Sequence, residues 1–467
     1  MTVLRRAAAV GCAVGARLNL APVLDTVSAM RRTVFAALYL GVGVGLGMLT
    51  VLPSHAQQAE EVVRFKITNP GQALYKVAVP LGLGDSASAK IMQEVLTGDL
   101  SLSGFFKVLD SASFVADLAK EDLGMTPDSW KTVGAESVIK AHTAMVGSDV
   151  SVEFRLFEVV KGSNPVLTKT YRASVGETRK LAHLFAAEVV KYFSAEDSFF
   201  ASQIAFSKVS GKDSEIAVMD WDGAAVRSVT GNGSQNILPS WHPSGGSLLY
   251  TSFVRGTPDL WSVPAGGGKP KRISTRPGLN TGGVMSPDGS KVAITLSFEG
   301  NSEIYLLTPS GDLIKRLTNS PGIDSSPTWS PDGSQIAFVS DRHGSPQIWL
   351  MSASGANQNK LTRKGNYNQE PAWMPKPING KTLIAFSGRD EKGVFDIFTV
   401  DPQSGDLQRI TENRGSNSHP SWAPNARALV YKSSRGGLFA ATFDGKTERQ
   451  VYRGPAESPT WGPMLKN

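Results

Sequence analysis

The sequence predicts two domains: an N-terminal α/β domain with a mixed sheet, then an all-β six-bladed β-propeller closed by the C-terminal strand. Three observations carry this. A Trp/Met-x-Pro anchor recurs from Trp241 through Met285, Trp329, Trp373 and Trp422 to Trp461, at steps of 44, 44, 44, 49 and 39 residues. Repetition at that period marks an array of like units, none of which can bury its faces alone. Between anchors lie short apolar or alternating segments separated by Gly-rich turns, the signature of strands. Ahead of the array, residues 57–197 mix helical and strand periodicities, as an α/β layer requires.

The first 56 residues read as an address. Met30-Arg31-Arg32 precedes an apolar run from Val34 to Leu52, then Pro53-Ser54-His55-Ala56. A basic start, an apolar stretch and small residues at the cut make a secretory signal. Cleavage is expected after Ala56, so the mature chain begins at Gln57, and Met30 is the expected true start. An apolar run of that length could also span a membrane. Gly41, Gly43, Gly45 and Gly47 weaken it as a helix, and the cleavage site follows directly. Cys12, the one cysteine of the chain, is removed with this segment, which leaves no thiol chemistry and suits an oxidising compartment.

In the α/β domain, Val62–Thr68, Tyr75–Pro80, Phe105–Leu109, Ser137–Ala141, Val150–Phe157 and Val166–Ala173 read as strands. Ala87–Leu102 reads as a helix with Ile91, Val95 and Leu102 towards one face. Glu177–Phe193 is the clearest helix, its stripe formed by Leu181, Leu184, Phe185, Val189 and Tyr192. His183 lies off that stripe and is expected in solvent. Ser194–Ser202 is expected to be a hinge or linker to the propeller, which spans 203–467.

Each propeller unit holds an apolar strand (Ile204–Phe206 in the first), an alternating strand (Glu215–Met219), a third ending near Val229-Thr230, and a Pro-x-Trp strand. Four strands per repeat is a propeller blade. The Ser-Pro-Asp-Gly turn at Ser330–Gly333 has a mechanism: Pro presets φ, Asp caps the turn and Gly accepts positive φ. The Trp is expected to pack between blades. The array starts at Ile204 without its Pro-x-Trp strand and ends with a spare one at Ser458–Trp461, so that strand should sit innermost in the first blade and latch the ring. An open array would leave an unpaired edge.

Composition narrows the function. The net charge of +7 includes five arginines against one aspartate before residue 57, and the remainder has no Lys/Arg block, so no nucleic-acid footprint exists. No Gly-x-Ser-x-Gly elbow occurs, as a serine hydrolase would need. Gly266-Gly267-Gly268-Lys269 is followed by Pro270 where a phosphate loop needs Ser or Thr, and reads as a turn. His142, His183, His242, His343 and His419 never fall at metal-ligand spacing. Asp220-Trp221-Asp222-Gly223 opens like a calcium loop but lacks the later ligands, and reads as a turn. No catalytic residue, metal or cofactor is expected.

What remains is surface. The segments ahead of the Pro-x-Trp strands are equivalent by the repeat and should meet at one channel mouth. They carry Asn236, Asn280, Thr281, Asp324, Ser325, Ser326, Asn368, Gln369, Glu370, Asn417, Ser418, His419 and Glu457. A ring of short polar side chains suits a peptide or protein loop. Turn formation alone would also account for Asn and Ser there. A receptor for a small solute or glycan is the alternative reading.

This architecture resembles the TolB family of the Tol-Pal envelope system. The matches are Glu61-Val62-Val63-Arg64-Phe65, Val77-Ala78-Val79-Pro80, the stretch from Trp130 through Ala135 and Glu136 to Ile139, Ile204-Ala205-Phe206, and Ser326 to Phe338 around Trp329-Ser330-Pro331-Asp332-Gly333. The resemblance spans about residues 60–465. It implies a non-enzymatic periplasmic adaptor, monomeric, that supports outer-membrane integrity and invagination during cell division. The propeller mouth would dock the lipoprotein Pal, around Asn280-Thr281 and Asp324 to Ser326, with other outer-membrane lipoproteins as further partners. The mature N-terminus, through Glu60, Glu61, Val62, Val63, Arg64, Phe65, Lys66 and Ile67, would engage TolA. The chain departs from the family pattern at Met285, at Gly283 and in an insertion over Lys376–Lys381.

Overall fold

In a computed structural model the chain is described over residues 74–464. The signal sequence, the strand expected at Val62–Thr68 and the TolA-facing residues Glu60 to Ile67 lie outside the described residues.

The N-terminal domain is one mixed sheet with two long helices on one face. Its strands are β1 (Tyr75–Ala78), β2 (Leu83–Gly84), β3 (Phe106–Val108), β4 (Ser137–Val146), β5 (Asp149–Glu158) and β6 (Leu167–Ser174). The order is β3-β1-β4-β5-β6, with β2 also on β4. Strand β1 runs parallel to β3 and β4, whereas β4, β5 and β6 are antiparallel. Val150, Val152, Phe154 and Leu156 alternate along β5 and are all buried, the period-2 pattern of a half-covered strand. Two short helices, α2 (Leu118–Glu121) and α3 (Pro127–Thr132), precede β4, while the long helices α1 (Ser86–Leu102) and α4 (Thr178–Ser194) cover that face, where Phe154 stacks on Phe185 with ring centroids 4.6 Å apart. Helix α1 starts where Asp85 accepts a bond from Ser88 N at 2.8 Å, satisfying an otherwise orphan donor. On the other face Glu121 accepts from Lys140 Nζ at 2.7 Å and from Trp130 Nε1 at 3.1 Å.

Residues from Gln203 onward form six four-stranded antiparallel sheets. Blade 1 holds Gln203–Ser210, Asp213–Asp220 and Arg227–Ser228; blades 2 to 6 begin with innermost strands at Asn236, Asn280, Asp324, Asn368 and Asn417. The strand Ala456–Trp461 pairs with Gln203–Ser210 and becomes the innermost strand of blade 1. The ring is therefore latched by its own two ends, and blade 1 has the same four strands as the others. The tryptophans join blades: Trp241 donates to Thr460 O at 3.1 Å, Trp329 to Val284 O at 3.2 Å and Trp422 to Ala372 O at 3.0 Å, each across a blade boundary. In the Ser-Pro-Asp-Gly turns Asp332 accepts from Ser330 Oγ and Ser334 N, with Gly333 at φ 70°.

Two expectations are corrected. Ser194–Ser202 is a packed junction rather than a hinge: Phe199 and Phe200 are buried, and Phe199 meets Trp221 and Trp461 edge-on. His183 is buried, at 5% exposure. Helix α4 carries a second covered face, turned towards the propeller, which the stripe against its own sheet does not reveal.

Candidate functional site: the propeller mouth

The six innermost strands share one backbone irregularity. In each, the register slips between the second and fifth residues, for example Ser325 to Thr328 and Ser418 to Ser421. The third residue has positive φ in every blade: Leu238 53°, Gly282 65°, Ser326 53°, Glu370 56°, His419 53° and Ser458 48°. This is a β-bulge repeated around a ring, and bulges re-aim side chains. The fourth residue is Pro239, Pro327, Pro371, Pro420 or Pro459, with Gly283 in blade 3. Proline is tolerated because an innermost strand has no partner on its channel side, so the missing N–H breaks no ladder. A methyl at Gly283 would lie 2.7 Å from Leu260 Cδ1, which accounts for glycine there. Together these strands enclose a channel cavity of about 310 Å³.

The first residue of each strand serves a different purpose from the one expected. Asn236, Asn280, Asp324, Asn368 and Asn417 are all buried. Asn236 Nδ2 donates to Ser214 O and Glu215 Oε2, both at 3.0 Å, and Asn368 Nδ2 to Gln347 Oε1 at 2.8 Å. Asn280 Oδ1 accepts from Ser274 Oγ at 2.6 Å, Asn417 Nδ2 donates to Gly415 O at 3.1 Å, and Asp324 accepts from Arg342 at 2.6 Å. These five side chains close the loops between blades and are not presented at the mouth, which corrects their placement on the rim. Burial pushes the Asp324 carboxyl above its ordinary value, against bonds from Ser340 and Arg342 and with the help of Glu303.

The second and third positions do come together at the mouth, half-buried: Thr281, Ser325, Ser326, Gln369, Glu370, Ser418, His419 and Glu457. Glu370 organises blades 5 and 6. Its Oε2 accepts from Ser387 Oγ at 2.7 Å and from His419 N at 2.8 Å, while its Oε1 sits 3.0 Å from His419 Nε2. Glu457 is paired with Lys432. Exposed apolar side chains stand at the same end: Val254, Leu279 and Ile323. That end follows from the pairing, since Phe253 N bonds Gln235 O, Leu279 precedes Asn280 and Ile323 precedes Asp324.

The N-terminal domain packs against blades 1 and 6 at the opposite end of the strands. Arg427, in the turn beyond Trp422, bonds Glu196, and Asn425 reaches Asp197 O at 3.4 Å. Beside them lies a buried charged cluster: His183 Nδ1 is 2.8 Å from Asp99 Oδ2, His183 Nε2 is 3.6 Å from Asp222 Oδ2, and Arg179 pairs with Asp222. Asp222 belongs to the turn read in sequence as a false calcium loop; it is a turn, and it holds the interface. Burial pushes the Asp99 carboxyl up to about 6, against the pull of His183. Burial works against the His183 proton, but Asp99 and then Asp222 outweigh it, so the imidazole is raised above its ordinary value. Among the described residues no group of three metal-ligating side chains converges, and no helix is long and apolar enough to cross a membrane.

A family model described as the TolB beta propeller domain matches residues 190–465, and one described as the TolB amino-terminal domain matches residues 63–164. The chain belongs to the TolB family. It is similar to the "Tol-Pal system protein TolB" of Anaeromyxobacter dehalogenans, at 38% identity over 227 residues, covering 47% of this chain and 51% of that protein. The protein of the same name from Cereibacter sphaeroides is 29% identical over 250 residues, 52% of this chain and 56% of that one. The chain thus spans about half the length of the curated relatives it matches. The crystal structure of TolB from Acinetobacter baumannii matches with a TM-score of 0.73 at 24% identity, over 84% of this chain and 97% of that one. That likeness shows the two-domain propeller fold.

Within this TolB-family fold, sequence reasoning missed Leu238, Gly282 and Ser458, which occupy the same bulge position as Ser326, Glu370 and His419. Stacking the six strands on their Pro-x-Trp residues would have found them, because the bulge always precedes the proline position. The apolar residues Val254, Leu279 and Ile323 carry no such signal.

Proposed function

We propose that this chain is a non-enzymatic periplasmic adaptor of the Tol-Pal system. It binds the lipoprotein Pal at the propeller mouth and TolA through residues 60–67, and so supports outer-membrane integrity and invagination during division. The observation that carries the reading is the ring of six bulged positions that line the channel cavity. Preformed polar groups at Ser326, Glu370 and His419, flanked by apolar Ile323 and Leu279, offer the mixture of apolar anchor and hydrogen-bonding rim that protein interfaces use. The names of the relatives support the system.

The test is a titration of the purified chain with the soluble domain of the Pal lipoprotein from the same cell. Saturable binding is expected, weakened about tenfold or more by His419→Ala or Ile323→Ala, in the range of central interface residues. Deleting residues 57–70 should abolish TolA binding. Absence of Pal binding would sink the adaptor reading in favour of a small-solute or glycan receptor.

A further inference from the structure

Four of the six gaps between blades are closed by one device, a fifth by an arginine alone, and the sixth is open. In blades 1, 3, 4 and 6 the hairpin turn at the outer side leans on the preceding blade's outermost strand. A methyl at Gly223, Gly311, Gly355 or Gly445 would sit 1.7, 1.8, 2.8 or 2.3 Å from the carbonyl oxygen of Val451, Ile273, Leu317 or Ile410 respectively. Basic side chains stitch the same gaps: Arg276 donates to Gly311 O at 3.0 Å, Lys315 to Ser354 O at 2.7 Å and Arg414 to Gly445 O at 3.1 Å. Between blades 1 and 2, Arg227 donates to Ala265 O at 2.6 Å.

Between blades 4 and 5 none of this happens. Nothing lies within 4 Å of a methyl at Gly405. The cause is in the turn. Thr308-Pro309-Ser310-Gly311-Asp312 in blade 3 becomes Asp401-Pro402-Gln403-Ser404-Gly405-Asp406 in blade 5. The glycine N–H reaches back three residues in blade 3, to Thr308 O, but four in blade 5, to Asp401 O. One inserted residue, Gln403, lifts the turn off its neighbour. Lys364 stands where Arg276 stands in blade 2, two residues past the buried Ser or Thr, yet it bonds no turn.

The result is a cleft of about 860 Å³. Its floor includes Leu350, Leu361 and Leu407, and its wall carries Lys360, Arg363 and Lys364. None of these three cations has a carboxylate partner within 4.0 Å among the described residues; the cleft's one acid, Asp406, accepts from Ser404 Oγ instead. Cations released from a structural task, over an apolar floor, are complementary to carboxylates on an extended chain.

We infer that the cleft between blades 4 and 5 docks an extended acidic segment of a partner protein, carboxylates on Lys360, Arg363 and Lys364, apolar side chains on Leu350, Leu361 and Leu407. The site is separate from the channel mouth and serves a second contact.

The test is fluorescence anisotropy of the full purified chain with a short fluorescein-labelled peptide of glutamate, leucine and serine, and with its lysine-for-glutamate counterpart. The acidic peptide should bind and the basic one should not, with binding weakening as salt is raised. Lys360→Glu combined with Lys364→Glu should weaken it at least about tenfold, as removal of paired cations does. Deleting Gln403 restores the blade 3 turn length and should close the cleft, abolishing binding while leaving the melting temperature unchanged or higher. Binding that survives both changes, or no binding of the acidic peptide, overturns the inference. So does saturation by inorganic tripolyphosphate with no peptide binding, which would make the cleft a small-anion site.

Discussion

Asp99→Asn should stabilise the protein at neutral pH, although it removes one half of a buried ion pair. Asp99 is fully buried on α1, its Oδ2 faces His183 and its Oδ1 has no partner. Its carboxyl is raised from 3.8 to about 6 even with His183 beside it. At ~1.4 kcal/mol per pH unit, ionised Asp99 therefore costs the fold about 3 kcal/mol at pH 7. Asparagine removes that cost, keeps an acceptor for His183 and leaves its amide without a partner, a loss of ~1–2 kcal/mol. A net gain of about 1–2 kcal/mol at pH 7 follows. The sign reverses in acid. Between pH 3.8 and about 6 the folded Asp99 holds a proton that the unfolded chain has lost, so stability falls as pH rises through that window. Below it the acid is neutral in both states and the parent should equal or exceed the variant. Urea unfolding followed by tryptophan fluorescence at pH 4, 5.5, 7 and 8 measures this. A variant destabilised by more than ~1 kcal/mol at pH 7 would refute the reasoning, because it would mean that His183 repays the burial of Asp99 in full.

Two further outcomes are expected. A chain ending at Arg453 loses Ala456–Trp461 and bares the inner edge of Gln203–Ser210; gel filtration should show association and the thermal transition should broaden, since an unpaired edge templates aggregation. Ala195→Gly at the end of α4, where φ is 58° on an exposed residue, should raise stability by about 1 kcal/mol because glycine adopts that conformation without the Cβ clash, and an unchanged urea midpoint would count against this.

The ring was legible in the sequence because its parts interact with their neighbours in one repeated way. Each Trp-x-Pro anchor does the same local work, so a contact spanning dozens of residues leaves a periodic mark. Even the latch could be placed, from a missing strand at Ile204 and a spare one at Trp461. The rim was legible only in part. Polar type and position brought Asn236 and Asn417 into it, yet their amides satisfy backbone groups between blades, and nothing in a polar residue's identity says which way a bulged strand turns it. His183 failed for a related reason. An amphipathic stripe records one packing face, whereas α4 packs on its own sheet and also against Asp222 of blade 1. Contacts between domains have no period to read.

The two ends of the channel differ in how they are held, and that difference bears on recognition. The end beside the N-terminal domain is fixed by aromatic packing of Phe199 on Trp221 and Trp461 and by the ion pairs of Arg179 and Arg427. The mouth carries five non-glycine residues at positive φ, which cost of order 1 kcal/mol each and persist only where the surroundings dictate them. The ring supplies that constraint, because every bulged strand is paired on one side and bonded to one neighbouring blade by Trp241, Trp329 or Trp422. A rim set before the partner arrives loses little freedom on docking. Affinity at the mouth should then depend on the ring being closed as well as on the rim side chains. Loosening one blade contact, as Trp329→Phe does by removing the bond to Val284 O, should weaken binding at the mouth through faster dissociation, with no rim residue changed.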